Sequence, residues 1–186
     1  MRKSTSILSL VLLVSLGLFG CQQRTDRVDS GGVMLSISDF DQLPVVVDAS
    51  STVLTNAGLV QIGQITVQNV VKNASADSSA LMNVEIQSYE VTFTRADKGT
   101  RVPPPLVEYI FGTAPVNGNF VLDNGPVMRL DQFNTLPLRD LLDYGYDRET
   151  SSQVVRLTVG IRFFGRTLSG KAVESAPAYF TIDVVP

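Results

Sequence analysis

From Val154 to Phe164 the side chains alternate without interruption. Val155, Leu157, Val159, Ile161 and Phe163 fall on one face, and Arg156, Thr158, Gly160 and Arg162 on the other. A helix would scatter these residues around its axis, so the pattern predicts a strand with one buried face. Such a strand constrains the rest of the chain. Its apolar face needs a second layer, and its backbone groups need neighbouring strands. The turn residues Gly165 to Gly170 follow it. Ala172 to Val185 then reads as a return strand, with Phe180, Ile182 and Val184 alternating with Tyr179, Thr181 and Asp183. The two segments are expected to pair as an antiparallel hairpin closing the domain.

The same period recurs upstream. Tyr89, Val91 and Phe93 alternate with Glu90, Thr92 and Thr94, while Val84 and Ile86 lie on the opposite parity. A bulge near Gln87-Ser88 reconciles the two registers. Ile65, Val67 and Val71 form another face, which also carries Asn69, and Val33, Leu35 and Ile37 open the domain. Asn69 is expected to be a hydrogen-bonded core or edge polar group rather than a ligand. Weaker strand signals cover Val107-Tyr109-Phe111 and Phe120 to Leu122, continuing past Asn124-Gly125 into Val127 to Leu130. Asn117-Gly118 between them has the residues of a type I′ hairpin turn. One short helix is predicted, with Thr135 as its cap, Pro137 in its first turn, Leu138, Leu141 and Leu142 on one face, and Gly145 as its stop.

Composition narrows the chemistry. The 186 residues include no histidine, no tryptophan and a single cysteine, Cys21. That excludes a Ser-His-Asp triad, a Cys-His pair, a His-ligated metal, an internal disulfide and a CxxC redox pair. The chain is 44% hydrophobic and 18% charged, which fits neither a disordered protein nor a nucleic-acid binder. No catalytic residue, metal ligand or cofactor site is expected.

The start of the chain reads as an address. Arg2 and Lys3 precede Ile7 to Leu18, a run without charge. These 12 residues are too few to cross a hydrocarbon core of about 30 Å at about 1.5 Å per residue, but they suit the apolar region of a secretory signal. Leu18-Phe19-Gly20-Cys21 follows. It resembles the lipobox of bacterial lipoproteins, with leucine at −3, a small residue at −1, and Phe19 departing from the small residue usual at −2. The resemblance implies export, lipidation of the Cys21 sulfur, cleavage before Cys21 and membrane attachment through acyl chains on Cys21. Gln22 at the next position favours the outer membrane by the enterobacterial sorting rule. Removal of residues 1–20 leaves 166 residues and takes the formal net charge from −3 to −5. That mild acidity argues against docking on anionic lipid or nucleic acid.

Residues 21–32 read as the lipidated cysteine and a polar, glycine-ended tether, and 33–186 as one domain. Seven or eight short strands with turn signals predict an all-β fold: a single antiparallel β-sandwich of immunoglobulin or fibronectin type III kind with one short helix. The Cys…Trp…Cys core of antibody domains is absent, so the likeness is architectural. Tyr89 to Asp97 and Ile161 to Gly170 also resemble segments of uncharacterised bacterial lipoproteins with immunoglobulin-like bodies, a likeness that carries no activity with it.

Two loops attract attention. Asp140, Asp143, Asp147 and Glu149 cluster near the predicted helix end, with Asp123 and Asp131 upstream, but no calcium-loop spacing connects them and Arg139 and Arg148 interleave. A solvated acidic loop is expected. Pro103-Pro104-Pro105 is expected to fix a loop or protect an edge strand. The functional expectation is a non-catalytic envelope lipoprotein that acts as a protein-interaction or scaffold module with an unknown envelope protein partner and no nucleic acid. The alternative is a small-ligand or Ca2+-binding lipoprotein that uses the end loops.

Overall fold

The computed structural model describes residues 32–73 and 78–186. The signal segment 1–20, Cys21 and the tether up to Gly31 lie outside the described residues. In chain order the elements are β1 (Val33–Asp41), β2 (Val46–Asp48), α1 (Ala49–Asn56), β3 (Val60–Val71), β4 (Val84–Arg95), β5 (Leu106–Ala114), β6 (Asn119–Met128), α2 (Leu130–Phe133), α3 (Leu138–Tyr144), β7 (Val155–Thr167), β8 (Ala172–Glu174) and β9 (Ala178–Val185). A short 3-10 turn spans Ala80–Met82.

The strands form two sheets packed as a sandwich. One has the order β1-β3-β6, and the other β2-β9-β7-β4-β5, with β8 pairing the far end of β7. All neighbours are antiparallel except β2 and β9, which run parallel. The alternating faces meet between the layers. Ile62, Ile65 and Val67 of β3 and Leu35 of β1 are buried, as are Tyr89 and Val91 of β4 and Leu157, Val159, Ile161 and Phe163 of β7. Each large apolar side chain so buried contributes about 1.5–3 kcal/mol relative to exposure. Tyr89 also ties the layers together. Its ring packs against Phe163 with centroids 5.3 Å apart, and its hydroxyl donates to the Pro126 carbonyl of β6 at 2.8 Å. Burial, with the Glu108 carboxylate nearby, raises the Tyr89 hydroxyl above its ordinary pKa, so it stays a donor.

The molecule has two distinct ends. Val33, Val71, Val84, Ala114 and Thr167 lie at the end where the described chain begins. Arg95, Leu106, Met128, Val155, α1, α2 and α3 gather at the opposite one. Asn69 closes the first end from inside. It is fully buried, and its amide donates to the carbonyls of Met82 and Ala114, both at 3.0 Å. It is a hydrogen-bonded core group, as its position on an apolar face predicts, although its Oδ1 is buried without a partner.

Several expectations are met in detail. A register shift between Ile86 and Ser88 marks the predicted bulge, and β7 pairs with both parts of the return segment. Others need correction. The return segment breaks into β8 and β9 because Pro177 has no N–H to give a ladder. Asn117-Gly118 does not close a type I′ hairpin. The turn runs from Pro115 to Gly118, only Asn117 takes positive φ, and β5 and β6 enter different sheets. The strand expected to reach Leu130 stops at Met128, and Leu130 begins α2. Thr135 does not cap the predicted helix. Its hydroxyl donates back to the Gln132 carbonyl, while Pro137 occupies the cap of α3 and Gly145, at φ 76°, ends it. The chain holds α1 and α2 as well as the one helix expected. α1 is short and poorly amphipathic, and is held by the Asp48 carboxylate, which accepts from the Ser51 N–H at 2.6 Å.

Candidate functional site

The two loops marked in the sequence meet at the helical end. β4 finishes in Arg95, whose side chain is only 3% exposed. Its guanidinium donates to both carboxylate oxygens of Asp97, at 2.6 and 2.8 Å, and to Asp147 Oδ2 at 2.8 Å. Gly99 permits this packing, because a Cβ there would fall 2.2 Å from the guanidinium carbon. Asp97 also accepts the N–H groups of Gly99 and Arg156, which join the loop to the start of β7. Arg156 pairs in turn with Asp183 of β9 through two hydrogen bonds, at 2.7 and 2.8 Å.

Asp147 organises the second loop. Its side chain is 0% exposed, and it accepts the Glu149 N–H, the Thr150 hydroxyl and Arg95. Burial alone would raise its pKa, but the Arg95, Thr150 and Glu149 hydrogen bonds outweigh it and hold the carboxyl below its ordinary value. Asp97 behaves alike: burial opposes, while Arg95 and the two N–H groups lower it. Glu149 reaches back across the gap. It accepts from the Thr100 hydroxyl and N–H and from the Arg101 N–H, which together hold its carboxyl low. Buried Gln132 bridges to the proline run through the Pro104 carbonyl at 3.3 Å.

The solvated acidic loop expected from sequence is therefore corrected. Asp140 and Asp147 are buried, Asp140 is paired to Arg148 at 2.9 Å, and Asp143 is paired to Arg139 on the surface. The interleaved Arg139 and Arg148 neutralise Asp143 and Asp140, while Asp147 pairs with Arg95 and Glu149 binds Thr100 and the Arg101 N–H, so the carboxylates do not converge. Among the described residues no group of three or more acidic, cysteine or histidine side chains could hold a metal ion. Asp123 and Asp131 stand apart from this cluster, and Asp123 accepts from Gln64. The proline run leads directly into edge strand β5, with Pro103 buried, which matches a loop-fixing role.

Two surface features were weak or silent in the sequence. On β5, Val107, Tyr109 and Phe111 form an outward row in which Tyr109 is 81% and Phe111 92% exposed. Their alternation signalled a strand, but not that the covering layer would be missing. Beside β1 and β8 a largely apolar groove of about 720 Å³ is lined by Val33, Leu35, Lys72, Phe164, Val173 and Glu174, among others. It is assembled from four separate segments, Gln87 of β4 included, so no local pattern announces it. Cys21, the one site residue assigned from sequence, lies outside the described residues, and no helix among them is long and apolar enough to cross a membrane. No family model, curated protein or solved structure matches the chain, so its fold and surfaces have to be read from its own residues.

Proposed function

We propose that the chain is a bacterial envelope lipoprotein, anchored through acyl chains on Cys21, whose body is a non-catalytic module for binding another envelope protein. The anchor reading comes from Leu18-Phe19-Gly20-Cys21 behind a charged and then apolar leader. Two or more acyl chains give stable attachment where one is marginal. For the body we favour an immunoglobulin or fibronectin type III sandwich. The orders β1-β3-β6 and β9-β7-β4-β5 are those that strands A-B-E and G-F-C-C′ would give.

The exposed row on β5 carries the interaction reading. Aromatic side chains dominate the energetics of protein interfaces, and β5 is an edge strand to which a partner strand can be added. Such a row left in solvent is an aggregation hazard unless something covers it. The test is a photoreactive residue at Thr113, on the same strand, in the lipidated protein in its native membranes. A discrete protein adduct is expected, and Tyr109→Ser with Phe111→Ser is expected to abolish it. An adduct that survives both substitutions overturns the reading.

The groove favours a second reading, a small apolar ligand, because its walls are mainly apolar with one cation and one carboxylate at hand. A ligand that binds only the native state raises the melting temperature by mass action. Screening fatty acids and other apolar small molecules for that shift tests it, and Val173→Asp is expected to remove any shift.

A further inference from the structure

We infer that the end of the sandwich where the described chain begins is a docking face for anionic lipid headgroups. The inference rests on the Cys21 anchor proposed above and adds which face that anchor presents to the membrane.

Four chain segments converge there. The Gly32 carbonyl accepts the Lys72 N–H at 2.9 Å, and a Cβ on Gly32 would sit 3.4 Å from the Met82 methyl. The N–H groups of Leu168 and Ser169 donate to the carbonyls of Asn83 and Leu81, at 2.9 and 3.1 Å. Two large apolar residues are thus held on adjoining segments and left in solvent, Leu81 at 57% and Leu168 at 46% exposure. Around them stand Lys72 at the end of β3, Arg166 near the end of β7 and Lys171 in the β7–β8 turn, none in an ion pair among the described residues. Among the described residues the nearby carboxylates are Glu85, opposite Arg166 in the β4–β7 ladder, and Glu174, 3.8 Å from Arg162. Cations beside exposed leucines suit the boundary between anionic headgroups and acyl chains.

Position supplies the second argument. Only 11 residues, Gln22 to Gly32, separate Cys21 from β1, and at ~3.3–3.6 Å per residue they can reach no farther than about 36–40 Å, so the anchor keeps this end near the bilayer. Tethering raises the effective concentration of the face at the surface, and a contact too weak to recruit a free protein is then enough to orient an anchored one. The net charge of −5 is an average that hides this end. Among the described residues the cations Lys72, Arg166 and Lys171 outnumber the carboxylates Glu85 and Glu174 here. The anchored body therefore stands with its helical end and the Pro103–Pro105 loop directed away from the membrane.

The test uses the lipidated protein, in which the Cys21 sulfur is occupied by lipid and a new cysteine is the only free thiol. An environment-sensitive fluorophore is placed at Leu168→Cys or, at the opposite end, at Leu54→Cys in α1, where Leu54 is 84% exposed. Both proteins are reconstituted into vesicles of equal parts phosphatidylglycerol and phosphatidylcholine, and into phosphatidylcholine alone. The label at position 168 is expected to shift to the blue and resist an aqueous quencher in the anionic vesicles, and to lose this protection in high salt. The label at position 54 is expected to stay exposed in both. Each of Lys72→Gln, Arg166→Gln and Lys171→Gln is expected to lower the docked-to-free ratio about fivefold, the equivalent of ~1 kcal/mol per basic residue near an anionic surface. Protein that floats with the vesicles while position 168 quenches like position 54 overturns the docking face and leaves the anchor standing. Protein that does not float with vesicles overturns the anchor and this face with it.

Discussion

Replacing Arg95 with methionine removes the cation that two loops share while keeping the length and apolar stem of the side chain. The guanidinium makes three short contacts to carboxylate oxygens, one of them to the fully buried Asp147, plus a longer one to the Arg101 carbonyl at 3.3 Å. In Arg95→Met, Asp147 keeps only the Thr150 hydroxyl and the Glu149 N–H. A buried charge stripped of its partner costs about 3–5 kcal/mol. For a domain of this size that lowers Tm by roughly 6–20 °C, at about 2–4 °C per kcal/mol. Urea unfolding followed by circular dichroism measures the loss as a fall in midpoint at unchanged slope.

The pH dependence separates this mechanism from simple loss of packing. In the native chain Asp97 and Asp147 titrate below the ordinary 3.8. Their stabilisation is present above that value and is lost as pH falls through their lowered folded values. In Arg95→Met the sign reverses for Asp147. Buried without its cation, it titrates above its unfolded value, so its penalty is full near neutral pH. The penalty fades as pH falls through the raised folded value toward about 4, the unfolded value. The difference between the two proteins is therefore expected to narrow from pH 7 to about pH 4. A loss below about 1 kcal/mol, or one equal at both pH values, refutes the account and makes the cluster an ordinary surface network.

Other outcomes follow from the packing. Leu157→Ala is expected to cost about 2–5 kcal/mol and Thr158→Ala, on the outer face, about 0.5 kcal/mol or less, as read from urea midpoints. Equal costs would mean the register is wrong. Tyr89→Phe is expected to cost about 1–3 kcal/mol, because the Pro126 carbonyl loses its donor between the sheets, and calorimetry measures it. Cys21→Ser is expected to block lipid attachment and leave an uncleaved precursor, which intact mass and membrane fractionation detect.

Strand faces were legible in the sequence wherever one side of a strand meets the core and the other meets water. Val155 to Phe163 and Tyr89 to Phe93 read correctly because burial imposes period two on every residue. The bulge at Gln87 was legible for the same reason, as a change of parity. Short elements that take their stability from tertiary contacts were not. β2 has only three residues and exists because β9 offers it a parallel edge. α1 carries β-branched Thr52 and Val53 and no apolar stripe, so its cap at Asp48 and its place in the fold decide its conformation. The turn at Asn117 was displaced by one residue because the chain changes sheets there, and a dipeptide rule assumes a continuing hairpin.

The acidic segment exposes the sharper limit. Sequence shows that carboxylates and arginines alternate from Arg139 to Glu149, but not whether they meet one another or meet distant groups. Asp140, Asp143 and their arginines do pair locally. Asp147 and Glu149 instead reach β4 and the loop after it, more than 45 residues away in the chain. Their chemistry is spent on geometry. Each carboxylate that could have served as acid, base or ligand already accepts hydrogen bonds from arginine, hydroxyl or backbone donors, and those of Asp97, Asp147 and Glu149 are held ionised by them. The result is a rigid loop cluster at one end of the sandwich, an uncovered aromatic row on one edge, and a small basic face where the chain enters. The binding role proposed above rests on those surfaces, and the ion pairs of Arg95, Arg139 and Arg148 fix the loop cluster among them.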